Sequence, residues 1–219
     1  MANSLSSFRT LIYRHEVRPR GILHIGAHQG QEVAFYRDAG VKDITLVEPV
    51  PELAAFLRRE FYDIDVIEAA VGSREGVLPF YVMHPSNVST LEKPGPGDRV
   101  ERTVNVPVYR LSTVLDNLDP HPNILIVDAQ GRELDVLKSG PLSGFHMVVS
   151  ETSTVEDRVM ASDYGDVVRY MEDQGFEAAT YFSRTYDEVN RFARGTSSPV
   201  QGEIRDVVFV NKGFEYGNE

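Results

Sequence analysis

The chain has no cysteine. That excludes disulfide cross-links, thiolate catalysis and cysteine-ligated metal centres together. Positive charge is scarce: 22 Lys and Arg stand against 33 Asp and Glu, a formal net charge of −11. A nucleic-acid surface needs clustered cations to displace counterions, so no nucleic-acid partner is expected. The same deficit speaks against attachment to anionic membranes. No run approaches about 18 consecutive apolar residues, and MANSLSSFRT at the start holds no apolar signal core. The expected setting is therefore cytoplasmic, with no membrane partner. With 219 residues, 42% of them hydrophobic, the chain can build one good core but is short for two. Residues 1–219 are accordingly expected to form a single domain.

Short apolar runs punctuate the chain at residues 21–25, 44–47, 65–70, 124–127 and 147–149. Between them lie segments with helical spacing. One follows Gly30 and stops at Gly40, one follows Pro51, and one runs from Glu133 to Lys138. Continuous apolar strands alternating with helices indicate a parallel sheet covered on both faces. The end of the chain differs. FEAATYF (176–182) and RDVVFVNK (205–212) alternate with no helix between them, and read as an antiparallel pair. Two long stretches, residues 84–107 with EKPGPGDR inside and residues 183–203, read as mobile loops.

The stretch ILHIGAHQGQEVAFY (22–36) goes from strand to glycine-bearing turn to helix. Such a turn offers outward backbone amides and a close approach to a nucleotide-like ligand. The pattern is Gly26-x-x-x-Gly30, without the central glycine that a pyrophosphate requires. A plain tight turn has the same spacing. The second strand, DITLVEP, ends in Glu48, where a carboxylate accepts both hydroxyls of a ribose. A glutamate before Pro49 is also an ordinary capping or surface residue. Together the two features favour an adenosine-containing ligand, and the missing glycine favours S-adenosylmethionine (SAM) over NAD.

The ordered set HIGAHQGQE…LVEPVPELAAFL, VIEAAVGSREGVLPFYV, SNVSTL, VPVYRLSTVLD and ILIVDAQGRELDVLKSG resembles the FkbM-type SAM-dependent methyltransferases. The similarity spans about Ile22 to Gly140. It implies a Rossmann-like α/β fold of the class I methyltransferase type: a seven-stranded, mostly parallel sheet with an antiparallel last strand and helices on both faces. It also implies O-methylation of hydroxyls on sugars, oligosaccharides or glycosylated metabolites, as in polysaccharide biosynthesis. Gly26, Ala27 and Gly30 match the turn around the methionine part, Glu48 the ribose acid, and Glu68, Ala69 and Ala70 the passage beside the adenine. Ser86, Asn87, Ser89 and Thr90 match a polar loop at the methionine end, and Asp128 the aspartate after strand four. The sequence departs from the pattern in two places. His24 stands where many relatives carry aspartate, and Gln130 where the family usually has glutamate.

A hydroxyl nucleophile benefits from a general base or a metal that stabilises its alkoxide. Ligands of open α/β sheets gather at the carboxyl ends of the strands, which selects His24, His28, Asp128 and Glu151. Asp128 and Glu151 are the candidate catalytic pair, with His28 a further base and His24 grouped with the cofactor residues. The two carboxylates are also candidate ligands for Mg²⁺. Glu151 capping the turn ETSTVEDR is the plainer alternative. Tyr164, Tyr170, Tyr181, Phe182, Tyr186 and Phe192 supply aromatic surface for an acceptor sugar, or for core packing. The expected partner is a small-molecule or oligosaccharide acceptor, with a homodimer as a candidate assembly. The rival readings are a non-catalytic SAM-binding domain and a nucleotide-dependent oxidoreductase.

Overall fold

The computed structural model describes residues 8–84, 86–95, 98–154, 161–185 and 203–216. In chain order the elements are α1 (Phe8–Arg14), β1 (Ile22–Ile25), α2 (Val33–Asp38), β2 (Ile44–Val47), α3 (Pro51–Glu60), β3 (Asp65–Ile67), β4 (Ala70–Val71) and β5 (Gly76–Met83). A 3₁₀ turn (Ser86–Val88) follows, then β6 (Val100–Tyr109), α4 (Leu111–Leu115), β7 (Ile124–Val127) and α5 (Glu133–Leu137). The chain continues through β8 (Met147–Ser153), α6 (Tyr164–Asp173), β9 (Phe176–Thr185) and β10 (Glu203–Asn211).

Every residue of β1, β2 and β7 is buried, as the continuous apolar runs predict for strands covered on both sides. Alternation within them splits the core in two. Ile22, Ile44, Ile124 and Ile126 pack under α1, α2 and α3 with Leu11, Tyr36 and Leu57. Leu23, Ile25, Leu125 and Val127 pack under α4, α5 and α6 with Leu111, Val136 and Met171. The seven-stranded sheet has the order β3-β2-β1-β7-β8-β10-β9. Its central pairings are parallel, whereas β10 runs antiparallel to both β8 and β9. The expected mostly parallel α/β sheet with an antiparallel last strand is thus the observed one.

Three expectations change. The run at 65–70 is not one strand: β3 ends at Ile67, and Ala70 begins β4, which leaves for a second sheet of order β4-β6-β5. Residues 84–107 are irregular only in part. Their last third is β6, whose Val104, Val106 and Val108 alternate against Phe80 and Val82 in a small core of their own. The fifth run extends well past Val149 because β10 pairs with it as far as Ser153. The loop expected at 183–203 has its ends in β9 and β10, and 186–202 lie outside the described residues. Among the described residues no helix is long and apolar enough to cross a membrane.

Candidate active site

The carboxyl ends of β1, β2, β7 and β8 open into one cavity of about 270 Å³, roofed by the connection from β5 to β6. Its floor is the β1 turn. There His28 takes a left-handed backbone (φ 49°) and its N–H donates to Glu48 Oε2 at 2.8 Å. The other oxygen, Oε1, accepts the Val50 N–H at 2.9 Å. Each carboxylate oxygen keeps a lone pair for a ligand hydroxyl. Burial pushes the Glu48 carboxyl up to about 7, against the pull of those two N–H groups, and the negative charge of Asp128 adds to the rise.

Gly26 turns the chain at φ 84°, but the structure assigns its missing side chain a different reason from ligand access. A Cβ there would lie 1.8 Å from the carbonyl oxygen of Asp128. The turn is glycine because β1 and β7 cross it too closely for anything larger. Val50, Ala69, Ala70, Val71 and Phe80 make an apolar wall beside Glu48, suited to a flat base next to a ribose. Glu68 does not join that wall: it pairs with Arg58 of α3 at 2.8 Å.

His24 is a second correction. Alternation in β1 puts it on the α2 side with Ile22, where it is 1% exposed and absent from the cavity lining. Its Nδ1 lies 3.1 Å from the Tyr36 hydroxyl, and burial lowers its pKa to about 3. It is a neutral core imidazole.

Ser86, Asn87 and Ser89 line the roof. The roof is tied down at both ends. Ser86 Oγ lies 2.9 Å from His28 Nε2, and the Thr90 hydroxyl donates to the Gln130 carbonyl at 2.7 Å. Thr90 itself is buried outside the cavity lining. Burial lowers the His28 pKa, so its ring is neutral near pH 7.

Asp128 follows β7, and Glu151 sits within β8 rather than beyond its end; both line the cavity. Glu151 is therefore a strand residue facing Asp206 of β10 across the ladder. Gln130, also with a left-handed backbone (φ 48°), bridges the pair. Its side-chain N–H₂ donates to Asp128 Oδ1, and to Glu151 Oε2 at 2.9 Å. A carboxamide in place of the family's usual glutamate replaces a third negative charge by two donors.

That bridge bears on Mg²⁺. Oxygens of Asp128, Glu133 and Glu151 lie within 4.8 Å of one another. However, the Glu133 oxygens already accept the backbone N–H groups of Ala129, Gly131 and Ser162 at 3.0, 3.1 and 2.7 Å. With Gln130 donating to the other two, each carboxylate of the set already accepts an N–H, so a hard cation bound between Asp128 and Glu151 would have to displace the Gln130 amide.

Sequence reasoning missed Glu32, Gln130 as a bridge, and Glu133 as the organiser of the 129–131 turn. Glu32 stands two residues beyond Gly30, a position from which spacing alone gave no signal. Of the aromatic candidates, Tyr164 and Tyr170 pack against the core, and Tyr181 is half exposed. The side chain of Phe182, and Tyr186 and Phe192 altogether, lie outside the described residues.

No curated protein matches the chain. Among solved structures, an RNA methyltransferase candidate from Pyrococcus horikoshii superposes with a TM-score of 0.52 at 11% identity, covering 95% of this chain and 84% of that one. At that identity the likeness speaks to the fold alone. A methyltransferase FkbM from Methylobacillus flagellatus gives 0.49 at 14%, over 91% of this chain and 47% of that one, so the present chain spans about half its length. A ribosomal protein L11 methylase from Lactobacillus delbrueckii gives 0.49 at 10%, over 95% and 78%. The sequence model of the methyltransferase FkbM domain matches residues 24–178, well over half of the chain. The chain therefore belongs to the FkbM family of SAM-dependent methyltransferases.

Proposed function

We propose that the chain methylates a hydroxyl of a sugar, an oligosaccharide or a glycosylated metabolite. The observation that carries this reading is the Asp128–Gln130–Glu151 bridge in the wall of the cavity whose other end holds Glu48. SAM supplies a methyl group on a positively charged sulfur, already activated for transfer. A hydroxyl acceptor then needs alignment and a group to take its proton. Asp128, partly exposed to the cavity, is that base. Glu151 and Gln130 hold its carboxylate in place, and neutral His28 is the alternative acceptor of the proton. The acidic balance of the chain favours a small acceptor over a nucleic acid. Radiolabelled methyl transfer from SAM to a panel of hydroxylated glycans tests the proposal. Tight SAM binding with no transfer to any hydroxyl would leave a binding domain or a different acceptor atom.

Glu48 gives the first check on the cofactor end. Glu48→Ala should weaken binding of S-adenosylhomocysteine (SAH) on the order of 100-fold, the worth of two hydrogen bonds to a charged acceptor. Calorimetry reads this, with circular dichroism to show that the variant folds. Because the Glu48 carboxyl sits near 7 in the free protein, its ionised form, the better acceptor, is recruited as pH rises. SAH affinity should therefore increase from pH 6 to 8 in the wild type. Unchanged affinity in a folded Glu48→Ala protein would remove Glu48 from the ribose site.

Metal dependence is the second check. Because the carboxylates are occupied by N–H donors, EDTA should leave methyl transfer unchanged within about twofold. A loss restored by Mg²⁺ or Mn²⁺ would mean that Gln130 swings away and yields its place to a cation.

A further inference from the structure

We infer that Glu32 receives the ammonium of the cofactor's methionine moiety. The inference rests on the SAM-binding reading of the cavity and goes beyond it by assigning a residue outside the strand ends. His24 cannot offer a negative charge, since it is sealed against Tyr36 and neutral. Glu32 lies one turn further along the chain, just before α2, and lines the same cavity while only 6% exposed. It precedes the helix without capping it, so its carboxylate is not committed to the free amides of α2.

The electrostatics of the wall point the same way. Burial pushes the Glu32 carboxyl up to about 6, its own backbone N–H pulls it down, and the negative charges of Asp128 and Asp206 raise it again. Tyr36 beside it is raised too, by burial and by Glu32 and Asp128. A cation that comes to a buried carboxylate near other carboxylates favours its charged form. An alkylammonium is a compact point charge with three donors, and it supplies that positive charge where it lies between Glu32 and Asp128. In this chain the acidic group of that wall stands at the start of the helix that follows the first strand. The same cavity wall is served from the next stretch of chain.

The experiment compares two ligands by calorimetry on the full chain: SAH, and 5′-methylthioadenosine, which keeps the nucleoside and sulfur but has no amino acid. Glu32→Gln should lower SAH affinity roughly tenfold to hundredfold, the range for a lost hydrogen bond to a charged group, and leave 5′-methylthioadenosine binding unchanged. Glu32→Asp should recover part of the loss. A wild-type control keeps the inference testable if Glu32→Gln folds poorly. SAH lacking its amino group should bind the wild type more weakly than SAH by a similar factor. Equal SAH affinity in wild type and Glu32→Gln overturns the assignment. A parallel fall for both ligands also overturns it, because Glu32 would then shape the cavity without meeting the ammonium. Failure of the wild type to bind either ligand would instead overturn the SAM reading, and this inference with it.

Discussion

Asp128→Asn should cut methyl transfer by about 100-fold or more, the usual contribution of a positioned general base, while the protein still folds. The carboxylate is the common neighbour of the site: its charge raises the carboxyls of Glu32, Glu48 and Glu133. Asparagine removes that charge and offers an N–H₂ or a weaker carbonyl to the Gln130 amide, which donates to Asp128 in the wild type. The base is lost, and with it one end of the bridge to Glu151. Glu151→Gln should lose a smaller but still large fraction, since it holds Gln130 rather than the acceptor's proton. Initial rates with saturating SAM, beside thermal melts of each variant, measure both. Full turnover in both carboxamide variants would show that this pair is not the catalytic centre, and would pass the role of base to His28.

The other large effect is on stability. Gly26→Ala should lower Tm on the order of 10 °C or prevent folding. The Cβ would meet the Asp128 carbonyl oxygen at 1.8 Å, and that atom is backbone at the end of a fully buried strand, so it cannot swing aside. Separating the two turns strains the bonds from Gly26 N–H to Val47 O (2.9 Å) and from Asp128 N–H to Ile25 O (3.0 Å). Overpacking and left-handed strain each cost about 1–3 kcal/mol, and for a chain of this size each kcal/mol moves Tm by roughly 2–4 °C. Gly40→Ala is the control. It has a similar φ of 81° but nothing within 4 Å of its Cβ, so it bears the strain alone. Equal melting of the two variants would refute the close-contact argument.

That glycine shows how sequence and structure divide the information. Gly26-x-x-x-Gly30 announces a turn after a strand, and the turn is there. The reason for the glycine is a carbonyl oxygen a hundred residues further along the chain, which no local pattern can display. Glu48, Ala69 and Ala70 were legible because strand ends follow from apolar runs, and ligands gather at strand ends in this architecture. Glu68 was misplaced by the same logic, since β3 stops a residue short of it and the side chain turns to Arg58. The β4-β6-β5 sheet went unread because EKPGPGDR masked the alternation that begins at Val100.

By itself, then, the order of residues determined the α/β class, the parallel strands with their antiparallel finish, and the end of the sheet at which a ligand is met. These are consequences of periodicity: burial on both faces needs unbroken apolar runs, burial on one needs alternation or helical spacing. Only the tertiary structure decided that His24 faces Tyr36 and the core, that Glu32 lines the cavity, and that Gln130 bridges Asp128 to Glu151. Each of those depends on which face of the sheet a helix covers, or on two turns meeting from distant parts of the chain. A side chain's direction is set by strand parity, but its neighbours are set by the packing of the whole sheet.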